Sequence, residues 1–198
     1  MLSAIVLAAG SSRRMEKSNK LLLPCGGKTI LTRVLANILS AGINEVIVVT
    51  GHESAQVSDS IRHLPVQIVY NARHAAGMTG SIQTGVRVAT GNGFMICMGD
   101  MIHITPEEYG IIKISFERQY LLNGQVICLP QYQGKNGNPV VFSDHYRPAI
   151  MQHPDPEGCK GIVRAHETNI YNVEMPAGHI LQDIDTPDDY RSLSAPPL

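Results

Sequence analysis

Apolar residues along the chain fall into runs of two periods. Ala4-Ile5-Val6-Leu7 is an unbroken apolar run that predicts a buried parallel strand. Glu45-Val46-Ile47-Val48-Val49-Thr50, Val66-Gln67-Ile68-Val69-Tyr70 and Phe94-Met95-Ile96-Cys97-Met98 predict three more strands. Between them the period lengthens. Ile30, Leu31, Val34, Leu35, Ile38 and Leu39 share one helical face, with Thr29 as N-cap and Gly42 as stop. Glu53 to Leu64 predicts a weaker helix. A loop from Asn71 to Gly77 opens another, from about Thr79 to Ala89. Thr105-Pro106-Glu107-Glu108 is a capped helix start with Pro in its first turn. Gln125 to Leu129 and Pro139 to Phe142 predict strands on either side of a polar, glycine-rich loop, Gln131 to Asn138. Gly158 to Glu167 predicts a short helix and Thr168 to Glu174 an alternating strand. Thr186 caps a last helix, and Ser194 to Leu198 is expected to fray.

Strand and helix alternating through the first hundred residues imply a doubly wound, mainly parallel sheet with right-handed connections. Ligands then belong at the carboxyl ends of the strands. The second half is less regular and is expected to add an antiparallel or mixed segment closing over one edge of the site. With 198 residues, the chain is expected to form one domain, 1–198, with a real core.

Charge narrows the function. Sixteen basic residues against 17 acidic ones give a net charge of −1, so no global field draws the chain to nucleic acid or an anionic membrane. Any phosphate binding must be local. No apolar run approaches the roughly 20 residues of a membrane span, and the first apolar segment stops at Gly10, too early for a signal peptide. Cys25, Cys97, Cys128 and Cys159 show no CxxC spacing. They fit reduced thiols in a cytoplasmic protein.

Candidate chemistry begins where the first strand ends. Leu7-Ala8-Ala9-Gly10-Ser11-Ser12 has little side chain, so backbone N–H groups can approach a bound anion. Arg13, Arg14 and Lys20 add charge suited to phosphate oxygens. A strand end followed by a basic surface loop fits the same residues. Two familiar nucleotide loops are absent: Leu22 stands where a P-loop before Gly27-Lys28-Thr29 needs Gly, and Ile96 breaks a GxGxxG at Gly91-Asn92-Gly93. Asp100 sits after Gly99 at the carboxyl end of a predicted strand, where a carboxylate can hold Mg²⁺ or cap a turn. Asp183 and Asp185 lie in one turn and point to opposite faces if it is extended; they can serve a metal or supply charge to the last helix. Gly77-Met78-Thr79-Gly80-Ser81 can bring donors to a base or phosphate at a helix N-terminus. Lys135-Asn136-Gly137-Asn138-Pro139 can touch a second substrate or be a plain hairpin.

Taken together, these segments resemble the molybdenum cofactor cytidylyltransferase type of nucleotidyltransferase. The match runs through Leu7 to Met15, Lys20 to Pro24, Gly77 to Ser81, Gly99-Asp100-Met101, Gly137 to Val140 and Asp183 to Asp189. The Ala8-Ala9-Gly10 form is similar to the cytidylyl branch rather than the guanylyl one. The resemblance implies a Rossmann-like three-layer fold with a mostly parallel mixed sheet, Mg²⁺ as cofactor, and transfer of CMP from CTP to a phosphorylated acceptor such as molybdopterin, with pyrophosphate released. It leaves room for a molybdoenzyme partner. It places Leu7 to Arg14 and Lys20 on the triphosphate. Ala8, Ala9, Gly77, Met78, Thr79 and Ser81 fall beside base and ribose. Arg14, Lys20 and Asp100 carry catalysis, and Asp100 with Asp185, or alternatively Asp183, holds the metal. Glu16, Gly80, Ile102, Asn138 and Cys159 depart from the pattern, mostly where an acceptor would lie. Rival readings are guanylyl transfer, a sugar- or alcohol-phosphate acceptor, a non-catalytic nucleotide-binding cofactor chaperone, and an oxidoreductase on the same kind of sheet.

Overall fold

The computed structural model describes residues 1–12 and 19–193. Strand β1 (Leu2–Ala8) lies in the middle of an eight-stranded sheet and is buried along its whole length. The chain then forms a small hairpin, β2 (Pro24–Cys25) with β3 (Lys28–Thr29), and enters α1 (Ile30–Ser40). The Thr29 hydroxyl accepts from the Thr32 N–H at 3.2 Å, the cap that the sequence predicts. β4 (Glu45–Thr50), α2 (Ser54–Ile61), β5 (Gln67–Tyr70), α3 (Met78–Val88) and β6 (Gly93–Met98) follow in strict alternation. α4 (Pro106–Leu122), β7 (Ile127–Tyr132), β8 (Lys135–Asn136), β9 (Val140–Ser143), α5 (Arg147–Gln152), α6 (Lys160–Ala165), β10 (Ile170–Glu174) and α7 (Pro187–Leu193) complete the chain.

The sheet order is β10-β7-β9-β6-β1-β4-β5, with β8 paired to β7. β5, β4, β1 and β6 are mutually parallel, while β9 runs antiparallel to both β6 and β7. The second half therefore extends the same sheet beyond β6 through one reversed strand. The chain winds from β1 toward β5 and then crosses back to β6. That crossing makes the carboxyl ends of β1 and β6 the point where ligands are held in open α/β sheets.

Side chains alternate across β1 and build two cores. Leu2, Ala4, Val6 and Ala8 face a layer containing Leu31, Val34, Leu35, Ile38, Val57, Ile61, Tyr109, Ile112 and Phe116. Ile5 and Leu7 face Ile82, Val86, Phe94, Phe142, Ile150 and Ile162. Helices α1, α2 and α4 thus cover one face, and α3, α5 and α6 cover the other.

Candidate active site

A cleft of about 740 Å³ opens over the carboxyl ends of β1, β4 and β6. Leu7, Ala9, Gly10, Ser11 and Ser12 line it from β1 and its turn; Gly99 and Asp100 line it from β6. Gly99 has no room for a side chain, since a Cβ there would lie 2.9 Å from the Leu7 carbonyl oxygen. Among the described residues, no backbone N–H of Gly10, Ser11 or Ser12 donates to another group. The Ser12 hydroxyl accepts from the Lys20 N–H at 3.1 Å, and buried Asn19 caps the short turn that follows by accepting from Leu21 N–H at 3.1 Å. These two bonds carry Lys20 back over the turn that leaves β1.

Lys20 then meets two carboxylates from distant parts of the chain. Its ammonium pairs with Asp100 Oδ2 and donates to Asp185 Oδ1 at 2.6 Å. Asp100 is only 4% exposed, and its Oδ1 is buried with no hydrogen-bond partner among the described residues. Asp183 completes the group: one carboxylate oxygen from each of Asp100, Asp183 and Asp185 lies within 4.8 Å of the others. Residues two apart on an extended stretch share a face while the one between them points away, and here both acids reach the site while Ile184 between them is buried. The expectation that Asp183 and Asp185 face opposite ways is corrected on that point. Thr186 caps α7 as the sequence predicts, its hydroxyl accepting from the Asp189 N–H at 3.2 Å, and Asp189 reciprocates by accepting from the Asp185 and Thr186 N–H groups at 3.1 and 2.8 Å.

The electrostatics follow from this crowding. Burial opposes the charge on Lys20, but Asp100 and Asp185 outweigh it and hold its proton on more firmly than usual. Burial also pushes the Asp100 carboxyl up; the Lys20 charge pulls it down, and Asp183 pushes it up again. Among the described residues, one ammonium thus faces three crowded carboxylates. A hard divalent ion with oxygen ligands suits the donor set, including the buried Asp100 Oδ1.

The remaining predicted residues divide. Gly77, Met78 and Ser81 line the cleft, and Ser81 accepts from Asn71 Nδ2 at 3.0 Å. Thr79 and Ala8 do not line it. The Thr79 hydroxyl donates to the Asp155 carbonyl and accepts from Gly158 N–H at 2.9 Å; Ala8 is buried in the core behind the turn. The N–H groups of Met78 and Thr79 donate to the Pro156 carbonyl at 2.8 and 3.4 Å, so these two of the donors expected at the start of α3 are already engaged. Arg13 and Arg14 lie outside the described residues. His52 and His74, which the sequence reading did not select, also line the cleft, with ring centroids 6.4 Å apart. His52 directly follows Gly51 at the end of β4, and that position at a strand's carboxyl end was the available signal.

A second cleft, of about 540 Å³, shares Met78 and Met98 with the first. Its floor is apolar, with Ile82, Ile96, Leu129 and Phe142. Asn136 and Asn138 stand at its side, and Lys160 and Arg164, one helical turn apart, face it from α6.

The MobA-like NTP transferase domain matches residues 4–170. The chain belongs to this family. Like other members, it is a nucleotidyltransferase with a Rossmann-like fold. It is 29% identical to the molybdenum cofactor cytidylyltransferase of Escherichia coli K12, over 96% of this chain and 93% of that protein. It is 30% identical to a probable molybdenum cofactor guanylyltransferase of Methanosarcina mazei, over 75% of this chain and 66% of that one. The nicotine blue oxidoreductase of Paenarthrobacter nicotinovorans is 26% identical over 97% of this chain and 96% of its own length. Among solved structures, a nucleotidyl transferase from Methanothermobacter superposes with a TM-score of 0.84, covering 98% of this chain and 95% of its own, at 25% identity. A Mycobacterium tuberculosis H37Rv protein solved as a complex with manganese superposes with a TM-score of 0.70 at 22% identity, covering 97% of each chain.

Proposed function

We propose that this protein is a cytoplasmic, single-domain enzyme that transfers CMP from CTP to molybdopterin, with Mg²⁺ as cofactor and release of pyrophosphate. The observation that carries the proposal is the meeting of Lys20, Asp100 and Asp185 at the cleft over β1 and β6. A member of the family with this overall similarity to the Escherichia coli cytidylyltransferase supports the choice of base and acceptor.

An oxygen of the acceptor phosphate attacks the α-phosphorus; a new P–O bond forms as the bond to the leaving pyrophosphate breaks. Both reactants are anions, so the chain's task is to offset repulsion and fix the line of attack. N–H groups of Gly10 to Ser12 would cradle the triphosphate, and Lys20, with Arg13 and Arg14, would stabilise charge building on the leaving group. Asp100 and Asp185, with Asp183 beside them, would hold Mg²⁺, which when bound neutralises phosphate charge. An acceptor phosphate is already ionised at neutral pH, so no general base is needed. The acceptor would lie in the second cleft, its body on the apolar floor beside Lys160 and Arg164.

The test is pyrophosphate release with each NTP and Mg²⁺, with and without molybdopterin. CTP should be used in preference, and only with acceptor present. Asp100→Asn and Lys20→Ala should each slow turnover roughly 10²–10³-fold, a loss of about 3–4 kcal/mol of transition-state stabilisation. Normal turnover by the Asp100 variant would remove the metal assignment. The likeness to a probable guanylyltransferase favours GTP as the second reading, and preferential use of GTP in the same assay would establish it. An absorbance change that depends on a nicotinamide nucleotide, without pyrophosphate release, would point instead to the chemistry named for the oxidoreductase relative.

A further inference from the structure

A buried carboxylate behind the acidic group is not used by this chemistry. Glu108, in the first turn of α4, is 3% exposed. Its Oε2 accepts from the Thr105 N–H at 2.8 Å, and the Thr105 hydroxyl accepts in turn from the Glu108 N–H at 3.3 Å, closing a capping box. The same carboxylate meets His179 Nδ1 with both oxygens, at 3.1 and 3.0 Å. His179 stacks on His103, with centroids 6.3 Å apart and planes 27° from parallel.

The two partners of Glu108 sit on the two segments that supply the acids. Thr105 and His103 end the stretch that leaves β6 through Asp100. His179 lies four residues before Asp183, in the turn Gly178–Leu181. The next residue, Ile180, is fully buried, and its carbonyl accepts from Asn138 N–H at 3.0 Å. A helix cap alone would not require the carboxylate to grip a histidine from a segment 71 residues away. Asp183 and Asp185 come from coil, which has no ladder of its own to fix them.

We infer that Glu108 and His179 are positioning residues for the metal: one buried carboxylate clamps the Asp100 segment and the Asp183–Asp185 segment at a set separation, and so sets the affinity of the acidic group for a divalent cation. The inference rests on the proposed metal role of those aspartates. Groups that hold metal ligands in place typically govern affinity by about 10–100-fold. His103 serves as the ring against which His179 is seated. The bond from the Asn138 N–H to the Ile180 carbonyl ties the clamped turn to the wall of the second cleft.

The test is Mn²⁺ binding to the whole protein, followed by the EPR signal of free Mn²⁺, without nucleotide or turnover. His179→Ala should weaken Mn²⁺ binding roughly tenfold while circular dichroism and thermal midpoint stay near those of the wild type, because the capping box is untouched. His179→Asn, which can place an amide N–H where Nδ1 lies, should restore most of the affinity. Pyrophosphate release by His179→Ala should recover at high Mn²⁺, which a fold defect would not allow. Wild-type affinity in His179→Ala would overturn the clamp and leave the metal site standing. A variant that loses its circular dichroism signal, with no rescue by His179→Asn or by excess Mn²⁺, would mark a structural role and also overturn it. A wild-type protein that binds no Mn²⁺ would overturn the metal assignment and the clamp together.

Discussion

Two glycines around the first cleft show how one residue type serves opposite ends. Gly77 has φ +122° and ψ 175°, a region open essentially to glycine alone, and a Cβ there would stand 2.6 Å from the Pro156 carbonyl oxygen. That carbonyl already accepts from the Met78 N–H, so it cannot withdraw without uncapping α3. Gly10 has no described residue within 4 Å of the same hypothetical atom; its smallness faces the cleft and not the core. Gly77→Ala should therefore cost about 1–3 kcal/mol of stability in urea unfolding. Gly10→Ala should leave the urea midpoint unchanged and weaken CTP binding, measured by calorimetry, by crowding the triphosphate. Equal losses of stability in the two variants would contradict this division. Neither role was legible in the sequence beyond the suitability of small residues for close approach. The partner of Gly77 is Pro156, which the fold brings from 79 residues away along with the Thr79 contact to Gly158.

At the scale of elements, the first half was legible because each strand and helix satisfies its own period. β1, β4, β5, β6, α1 and α3 lie within a few residues of where alternation and caps put them. α4 was legible only at its start. Its later residues include Ile114, Leu121 and Leu122, exposed by 64, 85 and 76%, so apolar side chains fall all round the helix and no face stands out. α5 went unread because one turn anchored by Ile150 is too short to show a period. The polar loop before β9 holds the two-residue strand β8 and a hairpin turn at Gln133 and Gly134, both at positive φ. Elements are also joined by charge. Glu45, at the start of β4, accepts from Ser3 of β1 and from the Thr90 N–H and hydroxyl at 2.9 and 2.7 Å. Partial burial opposes its charge, but the bonds from Ser3 and Thr90 prevail and lower its pKa below the ordinary 4.5. The folded carboxylate then stays charged at pH values where the unfolded one takes up a proton. Its stabilisation is fully present above pH 4.5 and is lost as pH falls through the lowered folded value. Urea unfolding of wild type and Glu45→Gln should differ most at neutral pH and converge in acid; a gap that widens in acid would reverse the assigned sign.

Over the whole molecule, function follows the change of direction in the sheet. Strands β5, β4, β1 and β6 run one way and present the first cleft at their carboxyl ends; beyond β6 the reversed β9 begins the wall of the second. Met98, at the end of β6, belongs to both clefts, so a group held in one can reach a group held in the other across a single side chain. The parallel part and its Asp100 were legible because βα units place chemistry at predictable ends. The second cleft was not, since it needs α6, the β8 hairpin and the β6–β9 pairing to be assembled first. A chain of net charge −1 with the proposed pair of anionic substrates needs local cations, and among the described residues the two clefts carry separate ones: Lys20 in the first, Lys160 and Arg164 in the second. Lys160 and Arg164 are exposed, so their contribution is a moderate local attraction and not a buried ion pair. Reversing both charges turns attraction into repulsion for an anionic acceptor while leaving Lys20, Asp100 and the β1 turn as they are. Lys160→Glu/Arg164→Glu should raise the KM for molybdopterin by roughly tenfold or more, about 1.4 kcal/mol, with the KM for CTP within a factor of two of the wild type. The effect should shrink as salt is added, because exposed charges are screened. If the double variant instead raised the KM for CTP and spared that for molybdopterin, the nucleotide would have to reach across Met98, and the two substrates would exchange clefts.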